Sequence, residues 1–355
     1  MKHKFIVLLI LIISIFTSTG CIAIKGVTSQ LQPKIEEKIN SNNEDLSNNK
    51  NESQYVQIKY NPYLLGKRAK LNLSKDAVKF YEEILIPGVL KRDKKIPVPS
   101  TLNEYDKAIV TNYFQQNSPL EYFAGTPFFN VEGDCIMFDY ANCVNMTDEE
   151  YDKEVKKISE SIEEVINTNI KKNYNYMDTI LALYKYLSFN TLYNKEAQST
   201  NAYGIIVNDQ GTCVGFAQSM QILLTQLNLD EGYQVEWTSN DNREGHAWNA
   251  LKLNNKWYYF DTTWENSSTG GEGLQYFAMN MDRRAIGDLS SKQYTMSPLS
   301  LLIPVPKCYD NRFDILEYCS QYELNLDNHS INFKSDLNNK WYILNTEDYS
   351  IKEKI

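Results

Sequence analysis

The sequence predicts an α+β fold, and three observations carry that reading. Residues 147–165 and 177–188 repeat apolar side chains at helical spacing (Tyr151, Val155, Ile158, Ile162, Val165; Ile180, Leu183, Tyr184, Leu187). Residues 213–228 place Phe216, Met220, Leu223, Leu224 and Leu227 on one apolar stripe, again a helix. Strand patterns follow it. YQVEWTS (233–239) alternates, and HAWNALKL (246–253) and KWYYFDTTW (256–264) flank Asn254-Asn255, a two-residue hairpin signal. Helices followed by neighbouring antiparallel strands, rather than strictly alternating strand and helix, define the α+β class.

In chain order, residues 1–20 combine a basic start (MKHK), an apolar run (FIVLLILIISIF) and small residues, the make-up of a secretory signal peptide. The run is too short to span a bilayer, which takes about 20 residues. Cys21 directly after Gly20 resembles a lipoprotein cleavage and lipidation site, although Ser18 stands where a leucine is usual. Residues 21–54 are then a lipidated cysteine and a polar, Asn- and Ser-rich tether that cannot bury enough apolar surface to offset its ordering entropy. The chain is expected to sit outside the cytoplasm, anchored in a membrane by lipid; plain secretion is the alternative.

The folded body starts near Tyr55 and divides into an N-terminal α+β region (55–175), a core (176–285) and a C-terminal extension (286–355). The pattern predicts a helix over 76–90 ended by Pro87-Gly88 and a loop over 94–103. A helix over 104–115 and two short strands in 128–140 around Gly133-Asp134 come next. Thr147 and Glu150 form a capping box that starts the first long helix. The last 56 residues contain strand-like segments such as KWYILNT (340–346) but announce no role. A formal charge of −9 argues against a nucleic-acid partner, because phosphate binding needs clustered Lys and Arg.

Chemistry concentrates in GTCVGFAQ (211–218). A cysteine at a helix N-terminus meets the positive end of the helix dipole, which favours the attacking thiolate. Gly211 and Gly215 would let a substrate backbone come close. A buried structural cysteine is the alternative for the motif taken alone. A thiol nucleophile needs a base, and past the signal segment only His246 and His329 remain. Strand placement favours His246. If Asn254 and Asn255 are the two turn residues, Trp248 faces Asp261, and His246 shares that face two residues away, within diagonal reach of the carboxylate. Asp261 can then orient the imidazole, the third role of a triad. An acid at a strand end can instead cap a neighbouring turn.

GTCVGFA, then GHAWNALKLNNKWYYFDTTW, with NAYGIIVND upstream, resembles the core of the transglutaminase-like cysteine enzymes, which share a papain-like Cys-His-Asp arrangement. The resemblance covers roughly residues 178–282. It implies a nucleophile helix packed on an antiparallel sheet, Cys213 as nucleophile, His246 as general base and acid, and Asp261 as the residue that orients His246. It implies no cofactor. The Cys213 N–H would supply one oxyanion donor; for the second, Tyr203 is the candidate. The expected function is a surface-anchored thiol enzyme acting on amide bonds of proteins or cell-wall peptides through a thioester, by hydrolysis or acyl transfer. A catalytically inactive module that binds peptide or glycan is the alternative.

Cys135 with Cys143, and Cys308 with Cys319, are spaced to pair outside the cytoplasm, or are small buried residues; the sequence leaves both open. The cysteines lack CxxC spacing and histidines are few, so no metal site is expected. NSSTGGEG (266–273) reads as a mobile loop beside the site, a lid. Trp248, Trp257 and Trp264 read as core, with Trp264 able to line the cleft.

Overall fold

The computed structural model describes residues 53–354, except 198, 239–244, 286–294, 297–302 and 304–305. The signal segment, Cys21 and nearly all of the tether lie outside the described residues. Among these residues no helix is long and apolar enough to cross a membrane.

The fold is α+β. Its N-terminal part holds α1 (Lys67–Asn72), α2 (Lys75–Phe80) and α3 (Ile86–Leu90), then β1 (Lys95–Pro97), α4 (Glu104–Asn117), α5 (Glu121–Ala124), β2 (Phe128–Phe129) and β3 (Cys135–Met137). The helix expected to stop at Pro87-Gly88 runs through to Leu90. A π-helical turn over Tyr81–Leu85, in which the Ile86 N–H reaches back five residues to the Tyr81 carbonyl, re-registers the chain ahead of the proline. Proline lacks the N–H that an α-helical turn would require there, so the wider turn absorbs the mismatch.

Two capping boxes start the long helices that follow. In α6 (Asp148–Asn169) the Thr147 hydroxyl accepts from the Glu150 N–H, and the Glu150 carboxylate accepts from the Thr147 N–H. In α7 (Tyr176–Phe189) Asn175 and Asp178 do the same. The parallel pair β4 (Leu192–Tyr193) and β5 (Gln210–Gly211) brackets α8 (Ala202–Asn208) and leads into α9 (Cys213–Gln226).

The central sheet is antiparallel, with the strand order β8 (Lys256–Phe260), β7 (Gly245–Leu253), β6 (Tyr233–Thr238), β9 (Thr295–Met296). The strand expected over 256–264 ends at Phe260, and α10 (Thr262–Thr269) takes over. A second sheet, the meander β10 (Cys319–Asn325), β11 (Ser330–Ser335), β12 (Lys340–Asn345) and β13 (Ile351–Glu353), fills most of the C-terminal extension.

One apolar core runs through all three expected regions, joining Leu65, Ile109, Leu223, Phe333 and Leu344. The C-terminal sheet is therefore part of the same packed body. A polar knot fixes it to the start of α7: the buried Asp178 accepts from the Thr346 hydroxyl and pairs with His329 Nδ1 at 2.5 Å. His329, the weaker of the two candidate bases, thus serves as a clamp. The Asp178 carboxylate holds its imidazole above the ordinary histidine range. A histidine raised in the folded state stabilises fully below about pH 6.5, and the contribution fades as pH rises through the folded value. The melting-temperature gap between wild type and His329→Gln should accordingly be wider at about pH 5.5 than at about pH 8.5. An equal gap at both would show that the clamp does not titrate in this way.

Candidate active site

Helix α9 begins where Thr212, still extended (φ −103°, ψ 177°), turns its hydroxyl to the Thr200 carbonyl at 2.8 Å. The Gly215 N–H donates to that same carbonyl at 3.1 Å. A Cβ at Gly215 would lie 2.6 Å from the Asn201 carbonyl oxygen. The glycine therefore admits the chain's own 200–201 segment against the first helical turn, rather than a substrate backbone. Gly211 sits against Ile205 for a similar reason.

Cys213 is the first residue of the helix, buried, and packs with Ala217 and Ala247. Ala247 directly follows His246 on β7. Asn249, two residues on and on the same face, donates its Nδ2 to the Ala217 carbonyl at 3.0 Å and so pins α9 to the sheet. Sequence reasoning missed Asn249. Its signal was a polar side chain in a strand whose other residues read as buried.

The hairpin register is the expected one. Leu253 pairs with Lys256 and each further pair follows in step, to Asn249 with Phe260. Asn254 (φ 44°) and Asn255 (φ 61°) both occupy the left-handed region that a type I′ turn demands. One more step places Asp261 beside Trp248, on the His246 face. There His246 Nε2 lies 2.6 Å from Asp261 Oδ2, with both side chains buried. The other oxygen, Oδ1, accepts from the Trp264 N–H at 2.9 Å and caps α10. The two readings of Asp261 are thus compatible: one oxygen holds the histidine while the other starts the helix.

Two indoles frame the imidazole. Trp264 stacks on His246 with ring centroids 5.1 Å apart and planes 27° apart, and Trp248 does so at 5.8 Å and 23°. Behind them Trp248 packs with Val235, Ala250, Tyr259, Met279 and Cys308. The buried Glu265 braces the turn. Its carboxylate accepts from the Tyr184 hydroxyl (2.8 Å), the Tyr276 N–H (2.9 Å) and the Thr269 hydroxyl (2.7 Å). Burial keeps that carboxyl above the ordinary range despite the three donors.

Three expectations change here. Tyr203 donates its hydroxyl to Glu154 and stacks on Tyr122 with centroids 4.0 Å apart, so its oxygen is engaged between helices. The lid expected over 266–273 is helix α10 followed by a turn. Asn266 holds it down, donating to the Ser188 and Thr191 carbonyls and accepting from the Tyr193 N–H. Gly270 and Gly271 (φ 64° and 76°) make the turn, and a Cβ on Gly271 would lie 2.4 Å from the Ser188 carbonyl oxygen. Finally, Cys135, Cys143, Cys308 and Cys319 are all free and buried, which settles the open pairing in favour of small core residues. Burial pushes the Cys308 and Cys319 thiols up to about 12, so neither is a competing nucleophile. Among the described residues no group of three or more His, Cys, Asp or Glu side chains is arranged to hold a metal ion.

Residues 160–262 match the family model described as the transglutaminase-like superfamily, a span that contains Cys213, His246 and Asp261. A solved structure described as "Crystal structure of a TGase" aligns at 17% identity and a TM-score of 0.24, over 39% of this chain and 44% of that one. No curated protein matches the chain. Residues 160–262, from within α6 to the start of α10, are thus similar to the core of the transglutaminase-like superfamily.

Proposed function

We propose that this protein is a thiol enzyme that cleaves or transfers amide bonds of proteins or cell-wall peptides, held at the membrane surface by lipid on Cys21. The buried 2.6 Å pair of His246 and Asp261, one residue from the Ala247 on which Cys213 packs, carries the proposal. A purely structural site has little use for a desolvated imidazole aligned by a carboxylate beside a cysteine at a helix start.

Asp261 occupies Nε2, so Nδ1 is the nitrogen that exchanges protons with Cys213. Nδ1 takes the thiol proton as sulfur attacks the amide carbonyl, and the helix N-terminus favours the thiolate and the developing oxyanion. The C–N bond then breaks, and the leaving amine carries away the proton from Nδ1. Water attacking the resulting thioester gives hydrolysis; a primary amine gives transfer. Tyr203 takes no part.

Alkylation tests the proposal. The full chain, reduced beforehand, is treated with iodoacetamide near neutral pH, and Cys213 is followed by mass spectrometry. Cys213 should react at least about tenfold faster than free cysteine, and His246→Ala should remove that advantage. A rate no higher than that of free cysteine would instead support the catalytically silent binding module. Incubation with a glutamine-containing protein and a tagged amine then separates transfer, seen as label incorporation, from hydrolysis, seen as chain cleavage.

A further inference from the structure

The C-terminal extension, which announced no role in the sequence, builds a cleft away from Cys213. Ala182, Lys185, Tyr186 and Phe189 recur at helical spacing on one face of α7, turned away from the Tyr184 that reaches Glu265. With Leu324 and Asn325 of β10, an edge strand of the C-terminal sheet, that face encloses about 400 Å³, within the usual size of a small-molecule site. The Lys171–Asp327 ion pair, at 2.6 Å, lines the cleft as well.

Polar groups here are short of protein partners. The Tyr174 and Tyr186 hydroxyls and the Asn190 side-chain amide, all lining the cleft, make no hydrogen bond to any described residue. Lys185 makes no ion pair with any described residue either. Its Nζ stands 5.6 Å from the ring centroids of both Phe189 and Tyr322. Desolvation holds this ammonium below the ordinary lysine range, and no carboxylate is near enough to offset it. Asp327 cancels Lys171, so among the described residues lining the cleft the one uncompensated charge is positive, on a chain of formal charge −9.

Hydroxyl and amide groups beside partly buried rings match a sugar, which offers hydroxyls at its rim and C–H groups at its faces. The ammonium matches one carboxylate. A doubly charged phosphate would meet Asp327 on the facing wall. We infer that the cleft between α7 and β10 binds a sugar acid, its carboxylate on Lys185 and its hydroxyls on Tyr174, Tyr186 and Asn190. This site is independent of the thiol chemistry and gives the C-terminal sheet a role in holding a glycan.

Matched acidic and neutral sugars test this on the full chain: glucuronate with glucose, galacturonate with galactose, and N-acetylmuramate with N-acetylglucosamine. Acetylation of Lys185 by an N-hydroxysuccinimide ester is followed by mass spectrometry with each sugar present, normalised to the exposed Lys79. At least one acid should slow labelling of Lys185 about fivefold or more, at a concentration where its neutral partner and acetate have no effect. Calorimetry should show binding of that acid weakened about tenfold by Lys185→Gln and about threefold by Tyr186→Phe, and kept by Lys185→Arg. The iodoacetamide rate of Cys213 should not change in Lys185→Gln, so the two sites stand or fall separately. Labelling needs no variant, and it decides even where one fails to fold. Equal protection by a neutral sugar overturns the pairing of Lys185 with a carboxylate. Equal protection by acetate overturns the sugar and leaves an anion site, and protection by none of the sugars overturns the whole inference.

Discussion

Cys213→Ala is expected to abolish covalent capture of substrate and to lower turnover by about 10⁴-fold or more, because no other group in the site can form the thioester. The fold should survive. In the reduced chain Cys213 packs with Ala217 and Ala247, and alanine removes only the sulfur from that small cluster. The checks are the melting temperature, which should move by only a few degrees, and the yield of acyl-enzyme trapped by acid quench, which should vanish. Residual turnover within about tenfold of wild type would place the nucleophile elsewhere.

Asp261 offers the second large effect, and its two oxygens allow the roles to be separated. Asp261→Ala removes the cap of α10, worth about 1 kcal/mol, and leaves the buried His246 Nε2 without its partner, worth about 1–3 kcal/mol. A loss of about 2–4 kcal/mol in stability is expected, with activity falling alongside. Asp261→Asn keeps an oxygen for the Trp264 N–H and preserves volume, so its melting temperature should stay near that of wild type. Its turnover should still drop by about 10²- to 10⁴-fold, because a neutral amide cannot stabilise the imidazolium. The experiment is a paired measurement of thermal unfolding and turnover in both variants. Equal losses of stability in the two, or unchanged turnover in Asp261→Asn, would reduce Asp261 to a helix cap.

Much of this site was legible because its determinants are local. The register of the 246–261 hairpin follows from two adjacent asparagines able to take positive φ, and strand periodicity then dictates which residues share a face. That is why His246 and Asp261 come together. The helix at Cys213 and the capping box at Thr147 are likewise written in short windows.

Other residues were placed or misplaced by partners distant in sequence. Tyr203 is engaged by Glu154 and Tyr122, 49 and 81 positions away. The glycine-rich 266–273 segment looked mobile because glycine and serine are permissive. Its rigidity comes from Asn266 reaching carbonyls 75 and 78 positions earlier, contacts that no local pattern encodes. His329 and Asp178, 151 positions apart, clamp the C-terminal sheet to α7.

The sequence by itself determined the class of fold, the hairpin register and the helix that starts at Cys213, since each rests on backbone propensities and periodicities within some twenty residues. Only the tertiary structure decided that the two readings of Asp261 hold together and that Asn249 locks helix to sheet. Those outcomes depend on which side chains meet across packed elements, and that is set only when the whole chain folds.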